Sequence, residues 1–274
     1  MQPGNKNLQG QVPARQGQGS AGGGETGAGL GRCRRDRAGR TGQAGSSGER
    51  ASAQARMRFS GRMRLDTPMS AVQLPSPAAS LTGHHVRLEP MSIAGLREVA
   101  PLLRVPEVFA GGHGGGPAAM PASDEGYVEF FSTYCPWLRG GRSYLVRYGD
   151  RLVGTTSLYE FNPNTCSIAI GYTAYAPEVW GTVVNPDAKL TLLRWAFDSG
   201  FERVVFHVAA GNERSRAAVT KLGAQLDGVL RHDRKLADGS WDGTAVFSIL
   251  AAEWPQIRDE LERRIAAATP KVRG

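Results

Sequence analysis

The run Val204-Val205-Phe206-His207-Val208-Ala209 is almost wholly apolar. Such a run is typical of a short strand that is buried on both faces near the centre of a sheet. A central strand of this kind needs covering layers on both sides. We therefore expect a layered domain in which helices pack on both faces of the sheet.

Hydrophobic periodicity predicts further elements around this strand. The other predicted strands are 86–88, 143–148, 152–161, 166–175, 229–236 and 244–250. The predicted helices are 93–104, 123–138, 186–197, 212–222 and 252–265, with Ser92 and Ser123 as N-caps of the first two. The Gly-rich stretch Ala110–Pro121, with a lone His113, is expected to be a mobile loop.

The resulting order is β-α-α-β-β-β-α-β-α-β-β-α, without an internal repeat. It predicts an α/β domain of the α+β type. Its sheet is expected to be mixed and mostly antiparallel, with helices on both faces.

The first third of the chain differs from the rest in charge and composition. Residues 1–78 hold 12 basic and 4 acidic residues, whereas residues 79–274 hold 21 of each, so the whole net charge of +8 belongs to the first segment. That segment also has 15 of the 36 glycines and few large apolar residues. It cannot bury enough apolar surface to fold, so we predict a disordered basic tail over 1–78 and a folded domain over 79–274.

Three interpretations of the tail are open. It is a solvated segment, or an artefact of a start codon assigned too early, since Met57, Met63 and Met69 offer later starts. Alternatively, its basic run at residues 32–37 is a weak tether to nucleic acid or another acidic surface. A secretory signal is disfavoured because no apolar segment follows the charges.

Composition also bears on location and metal binding. No stretch approaches the roughly 20 apolar residues that span a membrane. Cys33, Cys135 and Cys166 are odd in number and far apart, which indicates reduced thiols in a cytoplasmic protein. Neither the cysteines nor the five histidines have the spacing of a metal site, so we expect no metal. The oligomeric state is left open between a monomer and a homodimer.

Three local motifs carry a resemblance to a known family. The first is Ile170-Gly171-Tyr172 followed by Trp180-Gly181, and the second is Asn212-Glu213-Arg214-Ser215 running into Lys221-Leu222-Gly223-Ala224. The third is the final hairpin ending in Phe247-Ser248-Ile249-Leu250, followed by Glu253-Trp254. In this order over about residues 82–257, they resemble the GNAT N-acetyltransferases, and most of all the ribosomal-protein alanine N-acetyltransferases.

The resemblance implies acetyl-CoA as co-substrate, held where the fourth and fifth predicted strands splay apart. The pyrophosphate would meet main-chain N–H groups of the loop that opens the helix near Pro186. The residues assigned to the cofactor on this basis are Gly181, Val183, Val184, Asn185, Ala188, Lys189, Asn212 and Ser215.

This sequence departs from the family at that loop. The usual pattern Gln/Arg-x-x-Gly-x-Gly/Ala falls on Trp180, Val183 and Asn185, so two glycines are replaced. Binding is still expected, because the donors are main-chain groups. Asn185 is predicted either to cap the helix or to touch the cofactor. Lys189 either adds charge near the phosphates or is a solvated helix residue.

The residues of the second motif have two interpretations each. By resemblance Asn212 contacts the cofactor, and its residue type also suits the N-cap of the following helix. By resemblance Ser215 lies near the thioester sulfur and protonates the leaving thiolate; otherwise it is an ordinary first-turn serine. The tyrosine that many members use as the acid falls at Val219.

The general base is less defined by sequence. Relatives often carry Glu two residues before the Gly-Tyr pair, where this chain has Ala169. Glu160 and Tyr172 are the candidate catalytic residues in its place, although Glu160 also suits a solvated turn and Tyr172 a structural role. By resemblance the oxyanion would meet a main-chain N–H at Thr173 or Ala174.

We therefore expect an N-acetyltransferase that moves the acetyl group of acetyl-CoA to a primary amine, on a small molecule or a protein N-terminus, by direct attack. The alternative is a catalytically weak GNAT-fold module that binds CoA or another ligand as a sensor or partner. Beyond acetyl-CoA and the amine, no membrane or nucleic-acid partner is expected, except weakly through the basic tail.

Overall fold

The computed structural model describes residues 72–268. Within them lie eight strands: β1 Leu81–Thr82, β2 Val86–Pro90, β3 Arg142–Tyr148, β4 Arg151–Asn162, β5 Ser167–Tyr175, β6 Arg203–Ala209, β7 Gln225–Lys235 and β8 Trp241–Leu250. The same residues form six α-helices: α1 Ile93–Leu103, α2 Pro106–Ala110, α3 Asp124–Tyr134, α4 Val184–Asp198, α5 Glu213–Lys221 and α6 Trp254–Ala267. Every predicted element is present, and the short β1 and α2 are additional.

The strands form one sheet in the order β1-β2-β3-β4-β5-β6-β8-β7. Neighbouring strands are antiparallel except β5 and β6, which are parallel. Strand β6 therefore lies inside the sheet between β5 and β8, as its apolar run predicts. The mixed, mostly antiparallel sheet expected from the element order is confirmed.

Pairing between β5 and β6 is incomplete. The two strands pair only at Ser167–Arg203, Ile168–Val204 and Ala169–Val205. Beyond these positions β5 continues to Tyr175 and β6 to Ala209 without pairing to each other. Because β1 was not predicted, β5 and β6 are the fourth and fifth of the predicted strands. The predicted splay between them is confirmed.

Hydrophobic clusters cover the sheet from both sides. One contains Ile168 and Ile170 of β5 and Val204 of β6, packed with residues of α4, α5 and α6. The other joins α1, α2 and α3 to β3 through side chains such as Leu96 and Leu145. The period of two along the strands thus directs alternate residues to opposite helical layers.

The Gly-rich stretch 110–121 is not the open loop that its composition predicts. It contains the end of α2 and two 3-10 turns, His113–Gly115 and Pro117–Ala119. The His113 ring stacks on Phe131 with 4.4 Å between centroids, and its Nε2 lies 3.2 Å from the Tyr127 hydroxyl. Burial lowers the pKa of His113 to about 3, so this histidine is a neutral packing residue.

Two predicted helix boundaries are corrected, whereas both predicted serine caps are confirmed. Helix α3 ends at Tyr134 instead of 138, because Cys135 is extended before Pro136. Helix α4 begins at Val184 instead of Pro186. The Ser92 and Ser123 hydroxyls accept the Gly95 and Gly126 N–H groups.

The described part of the predicted tail lies against the domain. Val72 is buried in the cluster on the α4 side, and the Pro75 carbonyl accepts a hydrogen bond of 2.6 Å from Arg142 Nε. The remainder of the tail, residues 1–71, lies outside the described residues, as do residues 269–274. Within 72–268 every helix is too short or too polar to cross a bilayer.

One buried carboxylate joins α4 to the turn between β1 and β2. Asp187 accepts main-chain hydrogen bonds from His84, His85 and Val86 at 3.0, 2.6 and 2.9 Å, and its side chain has no exposed surface. The turn approaches so closely that a Cβ on Gly83 would lie 2.7 Å from an Asp187 oxygen. This contact sets the position of the helix that begins at the edge of the splay.

We expect Asp187→Asn to lower the free energy of unfolding by about 2–4 kcal/mol, because hydrogen bonds to a charged acceptor are lost and an amide NH₂ faces main-chain donors. Denaturant unfolding followed by circular dichroism measures the change. Asp198→Asn, at the C-terminal end of the same helix, is the matched control. Equal stability of the two variants would contradict the role assigned to Asp187.

Candidate active site

The divergence of β5 and β6 opens a cavity of about 340 Å³. Its walls come from both strands, from the ends of α2 and α3, from the first turns of α4 and α5, and from β7. Six of the residues predicted from sequence line it: Tyr172, Gly181, Asn185, Lys189, Asn212 and Ser215. Tertiary structure thus brings together residues from three separate segments of the chain.

The other three predicted cofactor residues do not line this cavity. Val184 and Ala188 are fully buried in the cluster on the α4 side of the sheet. Val183 is the N-cap of α4, with φ −69° and ψ −15°, and its side chain is also buried. Asn185 therefore lies inside the helix, and the interpretation of Asn185 as the cap is wrong.

The loop before α4 carries unpaired main-chain donors. The Thr182 N–H donates to the Val179 carbonyl, and the Val184 N–H donates to the Thr182 hydroxyl, each at 3.3 Å. By contrast, the N–H groups of Gly181, Val183 and Asn185 donate to no acceptor within residues 72–268. These donors sit where the helix dipole is positive, which suits an anionic group.

The same loop contacts α5 across the mouth of the cavity. The Arg214 guanidinium lies 3.9 Å from the centre of the Trp180 ring, and the Trp180 Nε1 donates to the Tyr175 carbonyl at 2.8 Å. Trp180 occupies the position of the family's Gln or Arg. Arg214 was not among the predicted site residues, although it lies within the second motif.

Asn212 is confirmed as the N-cap of α5. Its Oδ1 accepts the Ser215 N–H at 2.9 Å, while its Nδ2 donates to the Gly111 carbonyl. One side chain therefore closes the first turn of α5 and holds the end of α2 at the cavity wall. Ser215 lines the cavity in the first turn of the same helix.

Lys189 is neither solvated nor extended along the helix surface. Its side chain is buried, and its Nζ donates to Thr173 Oγ1 at 2.7 Å and to Thr156 Oγ1 at 3.2 Å. No carboxylate lies within ion-pair distance of Nζ among the described residues. Burial lowers the pKa of Lys189 to about 7, so near neutral pH the amine is only partly charged.

Two of the candidate catalytic residues, Tyr172 and Glu160, lie at irregularities of the sheet. Pairing of β4 with β5 shifts between Thr155 and Ser157, which turns Tyr172 and Thr173 out of the regular ladder. A second shift follows Tyr159 and contains Glu160. Both Tyr172 and Glu160 have φ +50°, a backbone conformation that is uncommon outside glycine.

Glu160 does not line the cavity. Its side chain is 61% exposed, and its Oε2 lies 3.5 Å from His207 Nδ1. Tyr172 does line the cavity, and its ring contacts those of Tyr134 and Tyr159 edge to face, with centroids 5.1 and 5.0 Å apart. Burial raises the pKa of Tyr172, so its hydroxyl is a neutral hydrogen-bonding group.

The sequence analysis also missed His207 as a site residue. His207 lines the cavity, and its Nδ1 lies 3.1 Å from the Tyr159 hydroxyl. The Tyr159 ring crosses the motif residue Gly171, where a Cβ would lie 2.8 Å from the ring. A signal was present, since His207 is the one titratable residue in the apolar run 204–209.

The family model described as "Acetyltransferase (GNAT) domain" matches residues 85–225. A crystal structure of a putative acetyltransferase from T. thermophilus is 32% identical, with a TM-score of 0.61, over 70% of this chain and 98% of that one. The chain belongs to the GNAT acetyltransferase family.

Other GNAT structures share the fold at lower identity. Mycobacterium smegmatis RimJ in complex with CoA-disulfide is 17% identical, with a TM-score of 0.58, over 70% of this chain and 96% of that one. The microcin C7 self-immunity acetyltransferase MccE, in complex with acetyl-CoA and AMP, is 18% identical, with a TM-score of 0.53, over 61% and 93%. A search of curated proteins gave no match.

The family and fold predicted from the three motifs are therefore confirmed, and acetyl transfer is the general chemistry of this GNAT domain. The individual roles given to Ser215, Tyr172, Glu160 and the cofactor residues remain predictions. No group of three or more potential metal ligands is assembled among residues 72–268.

We expect Lys189→Met to change how stability depends on pH. The unfolded chain binds a proton at this lysine up to its ordinary pKa of 10.5, whereas the folded chain loses it near pH 7. The free energy of unfolding of the unaltered protein should therefore rise from pH 7 to pH 10 relative to the variant, by up to about 4 kcal/mol. Urea unfolding at several pH values measures this difference.

The control is Lys221→Met, at an exposed position at the end of α5, which should leave the pH dependence unchanged. If the free energy of unfolding depended on pH in the same way in the unaltered protein and in Lys189→Met, the buried amine would keep its ordinary affinity for protons.

Proposed function

We propose that the domain transfers the acetyl group of acetyl-CoA to a primary amine by direct attack. The observation that carries the proposal is the cavity between β5 and β6, together with the free main-chain donors of Gly181, Val183 and Asn185 beside it. The slot suits an extended pantetheine arm. The donors at the beginning of α4 suit a pyrophosphate.

The two ligand-bound relatives support this use of the fold. The RimJ and MccE structures contain CoA-disulfide and acetyl-CoA, respectively. In this chain the replaced loop glycines are no obstacle, because Val183 has an ordinary helical φ and its buried side chain leaves the N–H side of the loop open. The anion would be bound by main-chain groups, which every residue type except proline provides.

The reaction joins the amine nitrogen to the thioester carbon and breaks the carbon–sulfur bond. Negative charge develops on the carbonyl oxygen, and a main-chain N–H at Thr173 or Ala174 would stabilise it. The nitrogen loses a proton and the CoA sulfur gains one. Ser215, at the first turn of α5, is the proposed donor to sulfur.

The acceptor would enter on the side of α3, where Tyr134 and Tyr172 form an aromatic wall together with His207. The Tyr159 ring contacts both Tyr172 and His207. Arg234 of β7 also lines the cavity. These residues suit an amine on a small molecule or on a protein N-terminus. We also propose a cytosolic location, which is supported by the free, buried thiols of Cys135 and Cys166.

A CoA-binding sensor with little activity is the second candidate. Ala169 and Val219 stand where many members carry a glutamate and a tyrosine, and the Trp180–Arg214 contact spans the cavity mouth. Both candidates predict binding of acetyl-CoA, and only the first predicts turnover.

Thermal unfolding with and without acetyl-CoA tests binding, and release of free thiol across a panel of amines tests turnover. The panel should contain amino acids, polyamines, aromatic amines and peptides with free N-termini. We expect a rise in Tm with acetyl-CoA and thiol release with at least one amine. Stabilisation without thiol release would favour the sensor, and no stabilisation would exclude both candidates.

Val183→Gly tests whether the loop needs its missing glycine. Because Val183 already has a helical φ and its N–H is free, restoring glycine should change the Kd for acetyl-CoA by no more than about twofold. Loss of the buried side chain should lower stability by about 1–3 kcal/mol. Calorimetric titration measures the Kd, with Val183→Ala as the matched control. A tenfold tighter complex with Val183→Gly alone would contradict this account of the loop.

A further inference from the structure

Backbone strain is concentrated beside the cavity. Four non-glycine residues in the described chain have positive φ, and two of them, Glu160 and Tyr172, lie at bulges on the adjacent strands β4 and β5. Such conformations cost of order 1–3 kcal/mol each and persist when the surrounding structure holds them. A bulge also changes the direction of a side chain. Here it leaves the Glu160 carboxylate next to the ring of His207.

His207 is held by two partners at one nitrogen. The Tyr159 hydroxyl lies 3.1 Å and Glu160 Oε2 lies 3.5 Å from Nδ1. Tyr159 reaches this nitrogen only because position 171 is glycine and leaves room for its ring. The Nε2 atom has no hydrogen-bond partner among residues 72–268, and the His207 ring lines the cavity.

We propose that His207 is the general base of the acetyl transfer, and that Glu160 and Tyr159 are positioning residues that orient its ring. This inference rests on the proposed function. It also corrects the role suggested for Glu160, whose carboxylate lies outside the cavity and acts on the reaction through His207.

The neutral amine attacks the thioester, and the nitrogen of the tetrahedral intermediate carries one proton too many. His207 Nε2 accepts that proton while the carbon–sulfur bond breaks. The sulfur then takes a proton from the Ser215 hydroxyl, which regains one from solvent, and the His207 imidazolium releases its proton to solvent. With its proton on Nδ1, the ring donates to the Tyr159 hydroxyl oxygen and faces the Glu160 carboxylate, which keeps the lone pair on Nε2. The carboxylate also stabilises the imidazolium that forms.

Other basic groups of the cavity are less suited to this task. His113 also lines it, but the Tyr127 hydroxyl contacts its Nε2 and burial keeps the ring neutral. The Lys189 amine already donates to the hydroxyls of Thr156 and Thr173. His207 alone among these combines a free nitrogen with a carboxylate partner.

Several titratable or charged groups contact His207 or line the cavity with it, and they bear on any pH profile. They come from four elements: Tyr159 and Glu160 of β4, Tyr172 of β5, Tyr134 of α3 and Arg234 of β7. Of these, only Glu160 carries a carboxylate. Its replacement therefore isolates the influence of the carboxylate on the histidine.

The test compares His207→Gln, Glu160→Gln and Tyr159→Phe with the unaltered protein, using the amine that gives the greatest thiol release. His232→Gln is the matched control, because His232 stacks on Trp241 outside the cavity. We expect His207→Gln to lower kcat by about 10²–10⁴-fold and to remove the acidic limb of the pH profile, with the Kd for acetyl-CoA unchanged.

Glu160→Gln should lower kcat relative to His232→Gln with the Kd for acetyl-CoA unchanged, because the imidazolium loses its carboxylate partner. Tyr159→Phe should also lower kcat with that Kd unchanged, because the hydroxyl that holds Nδ1 is removed. Added imidazole should restore part of the activity of His207→Ala, which provides a second measurement if His207→Gln folds poorly.

Full activity in His207→Gln, or an unchanged kcat in Glu160→Gln, would overturn the inference while the proposed function stands. An unaltered protein that acetylates no amine would overturn the proposed function and this inference together. The two failures are thus distinguishable.

Discussion

The parallel pairing of β5 with β6 stops after three residue pairs, and the candidate active site depends on that interruption. Two interior strands of a sheet ordinarily use their main-chain groups on each other. Here β5 from Ile170 onward is paired only with β4, and β6 from Phe206 onward only with β8. One edge of each strand is left open to a ligand, within a sheet that is otherwise continuous.

The helix at the end of that opening is held firmly from the opposite side. Asp187 receives three main-chain donors from the turn before β2, so the beginning of α4 is fixed relative to the sheet. Two residues later, Lys189 reaches Thr156 and Thr173 on β4 and β5. The free donors of the preceding loop are therefore presented by a rigid support, which reduces the entropy lost on binding an anion.

One wall of the cavity depends on a steric relation between two strands. Tyr159 of β4 passes over Gly171 of β5 to reach His207 of β6, so a motif residue of one strand provides space for a side chain of another. The strained Glu160 next to it completes the contact. Position 171 is therefore glycine because any side chain there would collide with the Tyr159 ring. The Ile-Gly-Tyr motif alone does not reveal this requirement.

Tertiary structure decided which polar side chains meet, whereas local sequence determined the layers and the motifs. The position of the splay came from the family resemblance that those motifs carry. Hydrophobic period, serine caps and turn residues predicted the order of the elements, because such signals depend on neighbouring residues only. The sequence context of Lys189 also suits a solvated residue, yet packing places its amine against the sheet. A bulge turns Glu160 toward His207 instead of toward the cleft. These contacts, and the protonation preferences that burial imposes on Lys189 and His113, exist only in the folded state, because they depend on distances that no local pattern encodes.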